Sequence, residues 1–141
     1  MLSKPIRKLL LALGIVTLLV PVYLWFTLLS PWGYTAPPGL TPVTPGDHPV
    51  FVYGTLRQPW VRWLVIGRSP ETRSTTLPGY RKEGLDLDKD PGSEVSGELF
   101  HVSAKELKRL DRYERLGIRY KRVEIQLDDG SSAWVYLRIH Q

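Results

Sequence analysis

A chain of 141 residues has room for one folded domain and its appendages. Its net charge of +5 is not that of a basic surface: Lys4, Arg7 and Lys8 crowd the N-terminus, the other cations nearly balance the 14 acids, and no basic run interleaves with aromatics, so there is no nucleic-acid footprint. With no cysteine, disulfides, a thiol nucleophile and thiolate metal ligands are excluded.

After a basic N-terminus (residues 1–8), Leu9 to Leu29 carries no charge and is rich in Leu, Val and Ile. As a helix it would span roughly 30 Å, the hydrocarbon thickness of a bilayer. Tyr23, Trp25 and Trp32 gather towards its far end, where amphipathic rings favour the interface. Pro21 predicts a kink. A cleaved signal peptide is the rival reading, but the run is long for one and the Ser30–Pro37 stretch makes a poor cleavage site. The expectation is an uncleaved anchor over residues 9–29. Three cations precede it and the next charge is Asp47, which predicts a cytoplasmic N-terminus and an exported C-terminal domain, in the periplasm of a two-membrane bacterium.

Residues 30–48 hold Pro31, Pro37, Pro38, Pro42 and Pro45, which predicts an extended stalk. The domain is expected over residues 49–141. Val50–Tyr53 reads as a buried strand ending at Gly54, and Pro59–Ile66 as a helix with proline in its first turn. Thr72–Pro78 and Val95–Val102 read as strands. Ser103-Ala104-Lys105-Glu106 is a capping box opening a helix that buries Leu107 and Leu110, with its end marked by Gly117. Tyr120–Leu127 and Ala133–Ile139 form a hairpin about Asp128–Ser131.

Glu114 follows Leu107 and Leu110 at helical spacing, so it shares their buried face. A carboxylate placed there needs a partner or a task. An ion pair with Arg119 or Arg122 is one answer and chemistry is the other. Asp86–Gly92 begins like a calcium loop, but Pro91 displaces the required glycine and Gly97 stands where a bidentate glutamate belongs, so it reads as a solvated acidic turn. His48, His101 and His140 show no metal spacing, no metal site is expected, and Glu98 reads as structural.

Tyr53-Gly54-Thr55-Leu56 after a short apolar strand, with Leu110-Asp111-Arg112-Tyr113-Glu114 and then Tyr120-Lys121-Arg122 downstream, resembles the γ-glutamylcyclotransferase-like (AIG2-like) family in motif and order. The resemblance covers roughly Val50 to Tyr136. It departs at Gln58–Trp63, where the family often has a Gly/Asn-containing segment, and at Arg115-Leu116-Gly117, where a glycine often follows the glutamate at once. It implies an α+β fold, a small mixed β-barrel with one or two helices, here preceded by a single transmembrane helix. It also implies cyclisation of a γ-glutamyl amine or amino acid to 5-oxoproline with release of the amine, without metal or organic cofactor. Glu114 would be the general acid/base, Tyr53, Gly54, Thr55 and Leu56 would hold the glutamyl moiety, and Tyr120 would line the pocket. The expected partners are a small γ-glutamyl substrate and the membrane, not nucleic acid. Two other readings remain: a non-enzymatic module that binds a γ-glutamyl group or a protein, and a structural envelope protein.

Overall fold

The computed structural model describes residues 1–140, which fall into two compact units divided between Thr35 and Ala36. The first is built on helix α1, Lys4–Leu28, unbroken through Pro21. An 18-residue stretch of it has a mean hydropathy of 2.4, so it is long and apolar enough to cross a membrane, a property that an anchor and a signal sequence share. Its threonines bond back to the preceding turn, Thr17 Oγ1 to Leu13 O at 2.7 Å and Thr27 Oγ1 to Tyr23 O at 3.0 Å, which leaves neither hydroxyl without a partner on the apolar rod.

The second unit is a curled five-strand half-barrel with two helices against it. Its strands are β1 (Asp47–Val52), β2 (Arg73–Glu83), β3 (Asp86–Ser103), β4 (Tyr120–Gln126) and β5 (Ser132–Arg138), in the order β2-β3-β1-β5-β4. β1 pairs antiparallel with β3 and parallel with β5, so the sheet is mixed. Phe51, Leu77, Leu87, Val95, Leu99, Leu127 and Val135 close the core on its inner face. Gly97 is dictated by that closure: a Cβ there would lie 2.4 Å from Val52 O and 2.5 Å from the Phe51 ring.

Helix α2 (Pro59–Ile66) is where the proline predicts it, and α3 (Ala104–Tyr113) opens with the capping box, Glu106 N donating to Ser103 Oγ at 3.2 Å and Ser103 N to Glu106 Oε2 at 2.9 Å. Two expectations are corrected. The acid-rich stretch at Asp86 is not a turn but the first part of β3, paired with the end of β2 in a charged hairpin whose Leu87 and Tyr80 still reach the core. Its turn sits just before it, at Gly84, and a bulge between Pro78 and Tyr80 lets the edge strand β2 carry its proline. α3 also stops before Gly117: Glu114 is its C-cap, and Arg115 takes the left-handed conformation at φ 51°.

The Pro-rich residues from Ala36 onward belong to the same compact unit as the strands, ahead of the Pro49 boundary. Thr41 O accepts from Arg122 Nη2 at 2.8 Å, Thr44 O faces His48 Nε2 at 2.7 Å, and a Cβ on Gly117 would meet Leu40 and Pro37.

Candidate active site

β1 runs out at Val52 and delivers Tyr53-Gly54-Thr55-Leu56 to one end of the half-barrel, where a single 3₁₀ turn, Thr55–Arg57, reverses the chain. The Tyr53 side chain is buried, its hydroxyl donating to Tyr136 O at 2.6 Å, and Leu56 is buried as well. The accessible part of this loop is therefore Gly54 and Thr55. Neither amide donates to a carbonyl among the described residues, as expected for the opening of a helical turn. Arg62 of α2 fixes the loop from behind, Nη1 reaching Leu56 O at 2.9 Å and Arg57 O at 2.8 Å.

Glu114 comes to this loop from α3. Thr55 Oγ1 and Tyr113 Oη are 3.2 Å apart, a hydrogen bond that ties the loop to the residue next to Glu114. Among the described residues the Glu114 carboxylate has no hydrogen bond and no ion pair. Burial raises it from the ordinary 4.5 to about 7, opposed by the charge of Arg119. The ion pair considered for Glu114 with Arg122 is not formed, because Arg122 is engaged by Asp111.

Tyr120, at the start of β4, is half-buried with its hydroxyl 3.4 Å from Leu85 O. Burial and then the Glu114 charge raise its phenol. The Tyr53 phenol is held well above its ordinary range by burial first, then by Tyr120, Asp86 and Glu114. Tyr53, Glu114 and Tyr120 thus share one electrostatic environment.

Under this site lies a polar network that the motif reading did not assign. Asp111, Arg122 and Tyr136 are all buried. Tyr136 Oη donates to Asp111 Oδ1 at 2.5 Å, and Arg122 Nε lies 3.0 Å from the same oxygen. Burial raises the Asp111 carboxyl against the pull of Tyr136 and Arg122. The Arg122 guanidinium stacks 4.5 Å over Trp134, whose Nε1 donates to His48 Nδ1 at 3.3 Å, so His48 carries its proton on Nε2, towards Thr44 O. Asp111 was legible as buried, lying four residues after Leu107 and one after Leu110. Arg122 was not, because its cover comes from the Pro-rich segment.

Glu98 keeps a structural place opposite Val52, with Ser74 Oγ at 3.3 Å and Arg57 at 3.8 Å. Arg119, the charge opposing Glu114, also lines a cleft of about 530 Å³ with Glu83, Asp86, Asp88, Arg138 and His140.

Against known proteins, the "Gamma-glutamyl cyclotransferase, AIG2-like" family model matches residues 50–141. AIG2-like protein D of Arabidopsis thaliana is 34% identical over 91 residues, 60% of this chain and 60% of that protein. AIG2-like protein A of the same plant is 36% identical over 85 residues, 55% of this chain and 50% of that protein. The match therefore spans little more than half the length of these relatives. Among solved structures, one from Arabidopsis thaliana is 33% identical with a TM-score of 0.56, over 67% of this chain and 70% of that one. A gamma-glutamyl cyclotransferase structure at 16% identity, with a TM-score of 0.55 over 67% of this chain and 68% of that one, is a likeness of fold alone. The end of β1, the loop after it, strands β2 to β5 and the glutamate ending α3 all lie within the matched residues, and the chain belongs to the γ-glutamyl cyclotransferase, AIG2-like family.

Proposed function

We propose that the strand-bearing unit is a γ-glutamylcyclotransferase-like enzyme that converts a γ-glutamyl amine or amino acid to 5-oxoproline. The α-amino nitrogen attacks the γ-carbonyl carbon of the same molecule, a C–N bond closes the five-membered lactam, and the bond to the leaving amine breaks. An ammonium cannot attack, so the step begins when a base takes its proton. Glu114 is that base and returns the proton to the departing amine. The observation that carries this reading is the Glu114 carboxyl, with no hydrogen bond or ion pair among the described residues and raised to about 7 by burial, where it gives and takes protons near neutrality.

In this reading the Gly54 and Thr55 amides hold the glutamyl carboxylate or the developing oxyanion, Tyr53 and Leu56 hold the loop in place from the core, and Tyr120 lines the wall. Because nucleophile and electrophile share one molecule, much of the catalysis is folding the substrate for ring closure. A non-enzymatic module is the second reading. Trp60 and Trp63, which would fill a retired pocket, are 67% and 62% exposed, and that favours the enzyme. α1 serves in the same reading as an uncleaved anchor with the strand-bearing unit exported. Protease digestion from the outer side of sealed membranes should remove that unit, and complete protection would overturn the orientation.

The test incubates the full chain in detergent, wild type and Glu114→Gln, with a panel of γ-glutamyl amino acids and amines, and measures 5-oxoproline. Product from the wild type alone supports both reaction and base. Product from both removes Glu114 from its role, and product from neither, with retained binding, favours the module.

A further inference from the structure

We propose that Asp86, Asp88 and His140 form a binding site for one divalent metal ion of the zinc or manganese class. Asp86 and Asp88 are two apart on β3 and so project from the same face of the hairpin. His140 follows the end of β5, and its approach is fixed by bonds from two backbone amides: Arg138 N donates to the Asp86 side chain at Oδ1, 3.0 Å, and Ile139 N to Arg119 O at 2.9 Å. One ligand atom from each of the three side chains lies within 4.8 Å of the others, at the wall of the cleft.

The independent observation is Asp86 itself. The residue is 4% exposed, its Oδ1 is held by the Arg138 amide, and its Oδ2 is buried with no hydrogen bond among the described residues. His140 Nε2 is 2.6 Å from that Oδ2, yet the approach lacks hydrogen-bond alignment. A buried carboxylate oxygen without a hydrogen bond calls for an ion or water. Here an imidazole nitrogen and a second carboxylate converge on it. One nitrogen and two oxygens suit zinc or manganese, and the Arg138 amide on Asp86 Oδ1 is the outer hydrogen bond that orients a ligating carboxylate. Arg119 and Arg138 line the same cleft, with Glu83 as a counter-charge, and Arg81 is 4.0 Å from Asp88 Oδ2. A bound ion would staple the β2–β3 hairpin to the end of β5, beside the Tyr120 contact with Leu85. This site is independent of the cyclisation reading.

The experiment is calorimetric titration of Zn²⁺ into the chelator-stripped, untagged full chain in detergent, with Mn²⁺ followed by its paramagnetic resonance signal. The variants are His140→Ala, Asp88→Asn and, as a control, His101→Ala, which removes the other His–Asp contact, 2.5 Å to Asp47. The His140 and Asp88 side chains are 71% and 47% exposed, so both variants fold. One ion per chain, weakened at least about tenfold by His140→Ala and by Asp88→Asn but unchanged by His101→Ala, is the expected result. No saturable binding, or binding that either ligand variant leaves intact, would overturn the proposal.

Discussion

Replacing Glu114 by glutamine should make the folded unit more stable at neutral pH, even though it removes the proposed base. The folded carboxyl holds its proton to about pH 7, whereas the unfolded chain releases it near 4.5. The folded-state value is raised, so the contribution is fully present below 4.5 and is lost as pH rises through 7. Each pH unit in that window is worth about 1.4 kcal/mol, and the separation of the two values gives a total of about 3 kcal/mol. Glutamine has the same shape and no proton to lose. The stability difference between variant and wild type should therefore grow in the variant's favour by about 3 kcal/mol between pH 4.5 and 7, then level off. Unfolding of both proteins would be followed in parallel by circular dichroism of the sheet. Taking the difference cancels the titration of every other group. A difference that does not change with pH would refute the claim that burial raises Glu114, and a variant weaker than wild type above pH 7 would refute its lack of partners.

Turnover should follow the same proton in the opposite sense: kcat/KM for 5-oxoproline formation should rise with pH through about 7 as the base ionises, and a profile flat across that value would remove Glu114 as the base. Asp111→Ala leaves the buried Arg122 guanidinium without its carboxylate and Tyr136 without its acceptor. It should cost about 3–5 kcal/mol, read as a large drop in Tm; a loss under about 1 kcal/mol would show that water reaches Arg122. Gly97→Ala forces a methyl against Val52 O and the Phe51 ring, so it should destabilise by about 3 kcal/mol in urea unfolding, and a neutral result would mean that β1 and β3 separate easily there.

The sequence patterns that could be read were those with a local physical cause. Ser103 and Glu106 announced α3, and Pro59 announced α2, because caps and first turns are built from neighbours. The family fold was legible from two motifs in order. Two other features were hidden by long-range geometry. In the β2–β3 hairpin Tyr80 and Leu87 reach the core between charged neighbours, so Tyr80–Glu83 and Asp86–Lys89 show no sustained apolar alternation that would mark them as strands. On β4 the alternation favours Val123 and Ile125, yet Arg122 is more deeply buried than either, because Thr41 and Trp134 cover the other face. The motif pointed to Glu114, but not to its lack of a partner, which depends on Arg122 being drawn away by Asp111. The end of α3 was misplaced because a non-glycine, Arg115, takes the left-handed position that sequence reasoning reserves for glycine.

The position of β1 has a consequence for synthesis. It is the first strand made, yet it lies in the middle of the sheet, with β3 on one side and β5 on the other. During translation Val50, Phe51 and Val52 leave the ribosome with nothing to pair with. β3 is complete only at Ser103, and the second edge stays open until Trp134 has emerged. An apolar strand with a bare edge is the kind of nascent segment that holdase chaperones capture and that aggregates when they do not. Folding of this unit therefore waits for β3 and for β5 as far as Trp134, and slowing translation between Ser103 and Trp134 should lower its folded yield more than slowing it before Val50.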